Sequence, residues 1–359
     1  MTKFIQGIQL NEMFFKEIIQ SIIETDFPDL EYSAGLIGSG SEVLGFDTVR
    51  STDHDWGLRF ILFLNKEDLR LKANISRVLS EKLPPTFRGY STHFGMSESG
   101  SWTALNAKKG ELIQHRIDIF TIQSFFEDYL GINPYSKLSE IDWLVLSEQK
   151  LKTIESGKIF HDQLGLDKIR KKFSYYPKDI WLYLLASEWQ KIGQEEPFVG
   201  RCGDADDELG SRVIATRLVH SIMRICFLME KVYVPYSKWF GTAFSKLKCA
   251  KKISPILHKV MSSENWKDRQ KHLSSAYEEI AKMHNRLGIT KKLPTKASCF
   301  WDRPYLVIHG DIFAKEIRSK IRSKAIRNIK AIGSVNQISN SVDLLENNSL
   351  LNKMKNLYK

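Results

Sequence analysis

The chain has 359 residues, of which 42% are hydrophobic, 11% aromatic and 26% charged, and its formal net charge is +11. That length exceeds one ordinary small core and points to two domains, and the composition is globular rather than disordered or fibrous. Cys202, Cys226, Cys249 and Cys299 lie far apart with no C-x-x-C pair, which argues against a zinc knuckle or a disulfide framework and fits a reducing compartment. The opening MTKFIQGIQL lacks a basic patch followed by an apolar core, and no apolar run approaches the roughly 20 residues that span a bilayer. The expectation is a cytoplasmic protein with no membrane partner.

In chain order, residues 10–25 read as a helix, with Met13, Phe14, Ile18, Ile19, Ile22 and Ile23 at helical spacing and Pro28 closing the segment. A strand is expected at about Ser33 to Ile37, followed by the glycine- and serine-rich stretch GLIGSGSEVLGFDTVRSTDHDW from Gly35 to Trp56. Asp55 to Leu64 reads as a buried strand, and Lys66 to Leu83 as a helix ended by Pro84-Pro85. Phe87 to Ala107, rich in Gly, Ser, Thr and His, is expected to be a hairpin or loop. Leu112 to Ile122 alternates, with Ile113, His115, Ile117 and Ile119 on one face and Gln114, Arg116, Asp118 and Phe120 on the other.

Beyond about Ser124 the pattern turns helical and tryptophan-rich. Ser147 to Phe160 is expected to be one helix, Asp179 to Glu196 another capped by Asp179, with further helices over Arg212 to Lys231 and Lys267 to Leu287. Glu188 falls within the apolar face of the Asp179 helix and Glu195 near it, unless Gly193 frays the end. Tyr305 to His309 is a short expected strand. Lys315 to Lys330 carries seven basic residues and one acid, with Ile317, Ile321 and Ala325 along one side of an expected helix. A solvated helix is favoured there over an RNA-contacting one. The Asn- and Ser-rich tail from Ala331 is expected to be a docked irregular segment or a frayed end.

The chemistry concentrates in the Gly35 to Trp56 stretch. Glycines after a strand let the backbone approach a phosphate, whose oxygens bind free N–H groups and a serine hydroxyl. Asp53 and Asp55, if extended, point to one side, and such paired carboxylates suit magnesium with substrate phosphates. Asp118, between two isoleucines of an alternating strand, is costly to bury unless paired or metal-bound.

Gly40-Ser41, eleven intervening residues and Asp53-His54-Asp55 resemble the signature of the nucleotidyltransferase superfamily typified by DNA polymerase beta and kanamycin nucleotidyltransferase. Gly45 stands where that family often has a further glycine. Gly38-Ser39 also fits the spacing, so the register stays open, and His54 stands where an apolar residue is usual. The whole chain is similar to a bacterial group within that superfamily. The resemblance implies an α+β fold: a nucleotidyltransferase core over residues 1–130, a mixed sheet with helices on one side, then a mostly helical domain over 131–359 packed over the open face of the sheet.

It further implies transfer of a nucleoside monophosphate from a nucleoside triphosphate, ATP first, to an acceptor hydroxyl with release of pyrophosphate. Two magnesium ions, or manganese in their place, would be held by Asp53, Asp55 and Asp118. Gly38, Ser39, Gly40 and Ser41 would bind the triphosphate. Relatives that modify antibiotics take a general base from the helical domain, for which Glu195 is first choice, then Glu188 and Glu208; pairing of any one with an arginine such as Arg201 or Arg212 is the structural alternative. The acceptor is a small molecule such as an aminoglycoside, a protein hydroxyl or an RNA end. A small molecule is favoured, with Asp204, Asp206, Asp207 and Glu208 as an acidic pocket. The competing function is a catalytically degenerate protein of the same fold that binds nucleotide or RNA.

Overall fold

The computed structural model describes residues 4–98 and 100–359. Met1 to Lys3, part of the amino-terminal segment read above, and Ser99, inside the expected 87–107 loop, lie outside the described residues. Two compact units are present: Met1–Lys137 with Lys150–Ser174, and Leu138–Gln149 with Tyr175–Lys359. Residues 150–174 thus belong with the first unit, beyond the single boundary near 130 that the composition shift suggests.

The strands of the first unit are β1 (Tyr32–Leu36), β2 (Arg59–Leu64), β3 (Thr86–Phe87), β4 (Tyr90–Ser91), β5 (Phe94–Met96), β6 (Trp102–Ala104), β7 (Arg116–Phe120) and β8 (Lys158–Asp162). A four-stranded mixed sheet runs β7-β2-β1-β8. The β2–β7 pair is parallel, and the two pairs made by β1 are antiparallel. β3–β4 and β5–β6 are two hairpins in the Gly- and Ser-rich stretch.

Alternation along each strand sends Tyr32, Ala34 and Leu36, Phe60, Leu62 and Leu64, and Ile117 and Ile119 into one core. Against them pack Leu10, Phe14, Phe15 and Ile19 from the first helix and Ile75 and Leu79 from the helix Lys72–Lys82. Each Leu, Ile or Phe among these contributes about 1.5–3 kcal/mol on burial. The first helix is Gly7–Phe14 and Gln20–Asp26 joined by a π-helical turn, Phe15–Ile19. That turn rotates Phe15 inward with Phe14, and its ring meets Tyr32, Phe60 and Phe160. On the opposite face, Phe125 of the helix Ile122–Leu130 packs edge-on against Phe63 at 5.5 Å and near Phe120 at 6.1 Å.

The helix expected over Ser147 to Phe160 stops at Ser156, and β8 takes the remainder. Gly157 breaks it: a Cβ there would lie 2.5 Å from the Leu36 carbonyl, so only glycine lets the chain turn against β1.

The second unit is built on the helices Lys178–Glu195, Glu208–Glu230, Ala250–Ser262, Trp266–Leu287 and Gly310–Arg318, with a hairpin of Ser298–Phe300 and Arg303–Val307. Gly193 does not fray its helix. It meets the backbone of the helix at Gly310 so closely that a Cβ would lie 2.6 Å from Asp311 N, and Trp189 stacks on Phe313 at 4.2 Å beside it. Asp179 is not the cap, because the helix opens at Lys178 after Pro177. Its carboxylate instead accepts from the amides of Arg322 (3.1 Å) and Ser323 (2.7 Å). That anchor splits the basic 315–330 segment: one helix ends at Arg318, and Ser323 caps a short second one, Lys324–Asn328. The tail forms short helices with a small core of Val335, Leu345 and Leu351, and is docked rather than frayed. Among the described residues no helix is long and apolar enough to cross a membrane.

Candidate active site

The sheet pairing sets the site. Gly35 lies opposite Ile61, so the glycine loop leaves β1 at the edge where the Asp53–Asp55 segment enters β2. Arg59 pairs with Arg116 and Ile61 with Asp118, which places the start of β7 at that same edge. The first unit thus brings the glycine loop, the two acids and Asp118 to one end of three adjacent strands.

A buried polar frame holds the loop. Arg59 Nε donates to Glu42 Oε1 at 2.8 Å, with Nη2 at 2.6 Å from the same oxygen, and Nη2 also donates to the Ser39 carbonyl. Glu42 is 1% exposed, so it needs this partner. Asn11 accepts from Arg59 N at 2.7 Å and donates to Gly57 O at 2.9 Å, which pins the entry to β2 onto the first helix. Asp47 Oδ2 accepts from Gly7 N (2.7 Å) and Trp56 Nε1 (3.0 Å). Gly40 has φ +142°, and a Cβ on it would fall 2.6 Å from Glu42 Oε2 and against the Arg59 guanidinium. The ion pair therefore demands glycine at this position.

The hydroxyls of the two loop serines differ in their partners. The Ser39 hydroxyl is engaged at 3.2 Å by Tyr129 OH, which also bonds Thr153 Oγ1 at 2.7 Å. Ser41 has no side-chain hydrogen bond among the described residues.

Asp53 and Asp55 are not on an extended strand. β2 begins at Arg59, Asp53 is helical in its backbone (φ −74°, ψ −35°), and Asp55 has φ +51°. The cause is a reciprocal bridge: Asp55 N donates to Trp102 O at 2.8 Å, and Trp102 N donates to Asp55 Oδ1 at 3.0 Å. Asp53 turns to His54, whose backbone N and ring Nδ1 each lie 3.1 Å from a carboxylate oxygen. Both acids face solvent, 66% and 53% exposed as side chains. Asp118 is the exposed member of β7 between buried Ile117 and Ile119, so it bears no burial cost, and it has no hydrogen bond or ion pair among the described residues.

Arg116 has no place in the sequence-derived site. Its side chain is 12% exposed and lies over the rings of Phe94 (5.7 Å) and Trp102 (5.5 Å), with Nη2 3.9 Å from Asp55 Oδ1. Its Nη1 is buried without a hydrogen-bond partner. Burial, then repulsion by Arg59, brings its pKa down to about 10. Next to it, His115 donates to or accepts from Ser76, and burial lowers its pKa. The donor chemistry of Asp53, Asp55 and Asp118 suits a hard divalent cation: three solvent-facing carboxylates, with the Arg116 guanidinium near Asp55 and Asp118. Their convergence is not made in this conformation, since among the described residues no three His, Cys, Asp or Glu side chains group so as to hold a metal ion.

The other candidate acids lie in the second unit. Glu195, 8% exposed, forms an ion pair with Arg217 rather than Arg201 or Arg212, while its Oε2 is buried without a partner. Glu188, fully buried, accepts from Gln337 Nε2 at 2.7 Å and lies 3.8 Å from Arg224 Nε. The acidic DADDE stretch is occupied with structure: Asp204 accepts from Tyr305 OH (2.6 Å), Asp207 caps a helix at Gly210 N (2.7 Å), and Glu208 holds Trp266 N (2.8 Å) and Arg269 (3.0 Å).

Residues 143–240 match a family model described as a domain of unknown function (DUF4037). A crystal structure of a nucleotidyltransferase-like protein from Exiguobacterium sibiricum 255-15 is similar at 10% identity, over 77% of this chain and 78% of that one, with a TM-score of 0.33. No curated protein matches the chain.

Proposed function

We propose that the first unit is a metal-dependent nucleotidyltransferase site that moves a nucleoside monophosphate from a nucleoside triphosphate, ATP first, to an acceptor hydroxyl. One observation carries the reading. A single sheet edge presents a buried guanidinium with an unpartnered nitrogen, Arg116, beside the solvent-facing acids Asp55 and Asp118. Opposite charges held apart in this way suit a ligand that is both anionic and cation-chelated, which describes a metal-bound triphosphate.

The residues divide the work. Asp53 and Asp55 would hold magnesium, with Asp118 as a third ligand on the acceptor side. The chemistry a divalent cation supplies in such a site is charge neutralisation on the phosphoryl oxygens and activation of the attacking hydroxyl. The Ser41 hydroxyl and the amides of the glycine loop would take phosphate oxygens. Arg116 would neutralise the charge that leaves with pyrophosphate, a preorganised donor with little reorganisation left to make. Arg59, already paired with Glu42, shapes the loop and repels Arg116, which raises the gain when an anion arrives. The acceptor is proposed to be a small molecule.

Calorimetry with a non-hydrolysable ATP analogue tests this in the intact protein, with magnesium and with a chelator. Binding should require the metal, and Arg116→Ala should weaken it by about tenfold or more, the order of one charge-assisted bond. Metal-independent binding that Asp53→Asn, Asp55→Asn and Arg116→Ala leave unchanged would defeat the proposal and favour the degenerate alternative.

A further inference from the structure

The helices Glu208–Glu230 and Ala250–Ser262 of the second unit meet at a pair of cysteines, Cys226 on the first and Cys249 at the N-cap of the second. Cys226 and Glu230 stand four residues apart, on one face of their helix. The Glu230 carboxylate reaches across and accepts from the amides of Lys248 at 2.9 Å and Cys249 at 2.8 Å. That clamp sets Cys249 against the turn that carries Cys226, and the two thiols share a hydrogen bond. Cys226 is fully buried, whereas Cys249 is partly exposed. Cys249 lines a cavity of about 370 Å³ together with Met229, Glu230, Lys248, Met283 and Leu287.

We propose that Cys226 and Cys249 form an oxidisable dithiol: hydrogen peroxide oxidises Cys249 first, and Cys226 resolves the product into a disulfide that ties the two helices together. The site stands apart from the reading of the first unit. Exposure sets the order of attack. Peroxide, little larger than water, reaches Cys249 from the cavity, while Cys226 has no surface open to it. Burial, then the bond with Cys249, pushes the Cys226 thiol well above its ordinary range, so it keeps its proton and is a poor first target. A buried cysteine by itself is inert packing. This pair differs in having a reachable thiol with a second thiol in contact behind it, an arrangement that captures an oxidised sulfur before it oxidises further.

The steps balance. The Cys249 sulfur, as thiolate, attacks one peroxide oxygen; an S–O bond forms, the O–O bond breaks, and the departing hydroxide takes the Cys249 proton and leaves as water. The Cys226 sulfur then attacks the sulfenic sulfur of Cys249; the S–S bond forms, the S–O bond breaks, and the Cys226 proton leaves with the hydroxide as a second water. Two thiols lose two electrons, and one peroxide gains them. From hydrogen-bond contact the sulfurs have to close to about 2.05 Å, a movement that side-chain rotation at Cys249, the less packed of the two, supplies. A thiol reductant reverses the bond, as a reducing compartment requires of a transient disulfide.

Peptide mapping of the full chain tests this. Trypsin cuts after Arg224, Lys231, Lys248 and Lys251, which leaves the two cysteines on separate short peptides that only a disulfide would join. After hydrogen peroxide, the unreduced digest of the folded protein should contain the joined peptides, two hydrogens lighter than their sum, and dithiothreitol should abolish that species. Dimedone, which traps sulfenic acid, should label Cys249 heavily in Cys226→Ala and little in the wild type. Cys249→Ser should leave Cys226 reduced. The wild-type map and Cys249→Ser, at a partly exposed position, decide the matter even where Cys226→Ala fails to fold. The proposal is overturned if exposed Cys299 is oxidised while the two peptides stay unjoined, or if wild-type Cys249 is trapped as sulfenic acid without the cross-link. It is equally overturned by a cross-link that forms only in the urea-unfolded chain, or by oxidation of Cys226 in folded Cys249→Ser.

Discussion

Gly40→Ala probes the frame that shapes the glycine loop, and Gly45→Ala in the same loop is its control. Gly45 has φ +66°, and a Cβ added there would meet nothing within 4 Å. Its replacement should cost only the backbone term, about 1–2 kcal/mol. Gly40 has φ +142°, a conformation that costs another residue about 1–3 kcal/mol. Its Cβ would also lie 2.6 Å from Glu42 Oε2 and 2.8 Å from Glu42 Cδ, and press on the Arg59 guanidinium. Relief requires parting Glu42 from Arg59, a charge-assisted bond worth about 1.5–3 kcal/mol. Gly40→Ala should therefore lose about 2–3 kcal/mol more than Gly45→Ala. Urea unfolding at fixed m-value measures that difference, and calorimetry with the ATP analogue should show binding lost chiefly in the Gly40 variant. Equal losses at the two glycines would refute the claim that the ion pair dictates glycine at position 40.

Asp53→Asn or Asp55→Asn should abolish monophosphate transfer while circular dichroism and melting stay unchanged, because an amide brings no negative charge to the metal; wild-type turnover in both would remove them from the site. Asp118→Asn should reduce turnover more than triphosphate affinity, as a titration beside an assay of pyrophosphate release will show. Glu195→Gln should cost under about 1 kcal/mol in urea unfolding, because its partner Arg217 is half-exposed to water; a loss of several kcal/mol would refute that weak pairing. Burial holds the Glu196 carboxyl up at about 7 from an ordinary 4.5. The folded protein keeps that proton where the unfolded chain releases it, so stability should fall as pH rises from about 4.5 to 7 and level off above. The fall is on the order of 3 kcal/mol, and Glu196→Gln should flatten it in denaturation curves taken across that window.

Alternation in LIQHRIDIFTI was enough to place Ile117 and Ile119 in the core and Asp118 on the exposed face, because successive residues of a strand point to opposite faces. The first helix was legible for the same reason at its own period, although the π-helical turn that brings Phe14 and Phe15 to one side was not. What escaped was set by partners distant in sequence. Nothing near Asp55 announces that Trp102 will bond it and bend the segment out of the strand. Nothing near Lys158 shows that β1 needs a strand on its free edge. Arg116 was visible on the polar face with Asp118, but its missing partner is a property of burial. The contact between Cys226 and Cys249 was hidden likewise, since it is made where two helices meet.

The late arrival of β8 bears on how the first unit is made. Its sheet includes residues 158–162, separated from β7 by a stretch, 138–149, that belongs to the second unit. On the ribosome, the chain up to residue 137 has three of the four strands, and β1 still presents an unpaired edge from Ser33 to Leu36. Such an edge is sticky until covered. The unit cannot finish folding before the polypeptide has emerged past Asp162, whose carboxylate ties back to Ser33 Oγ at 2.7 Å. Any attempt to express the first unit alone must therefore carry the chain through Ser174, with 138–149 replaced by a linker, since a fragment cut at the apparent end of the sheet near Phe120 would expose that edge and aggregate.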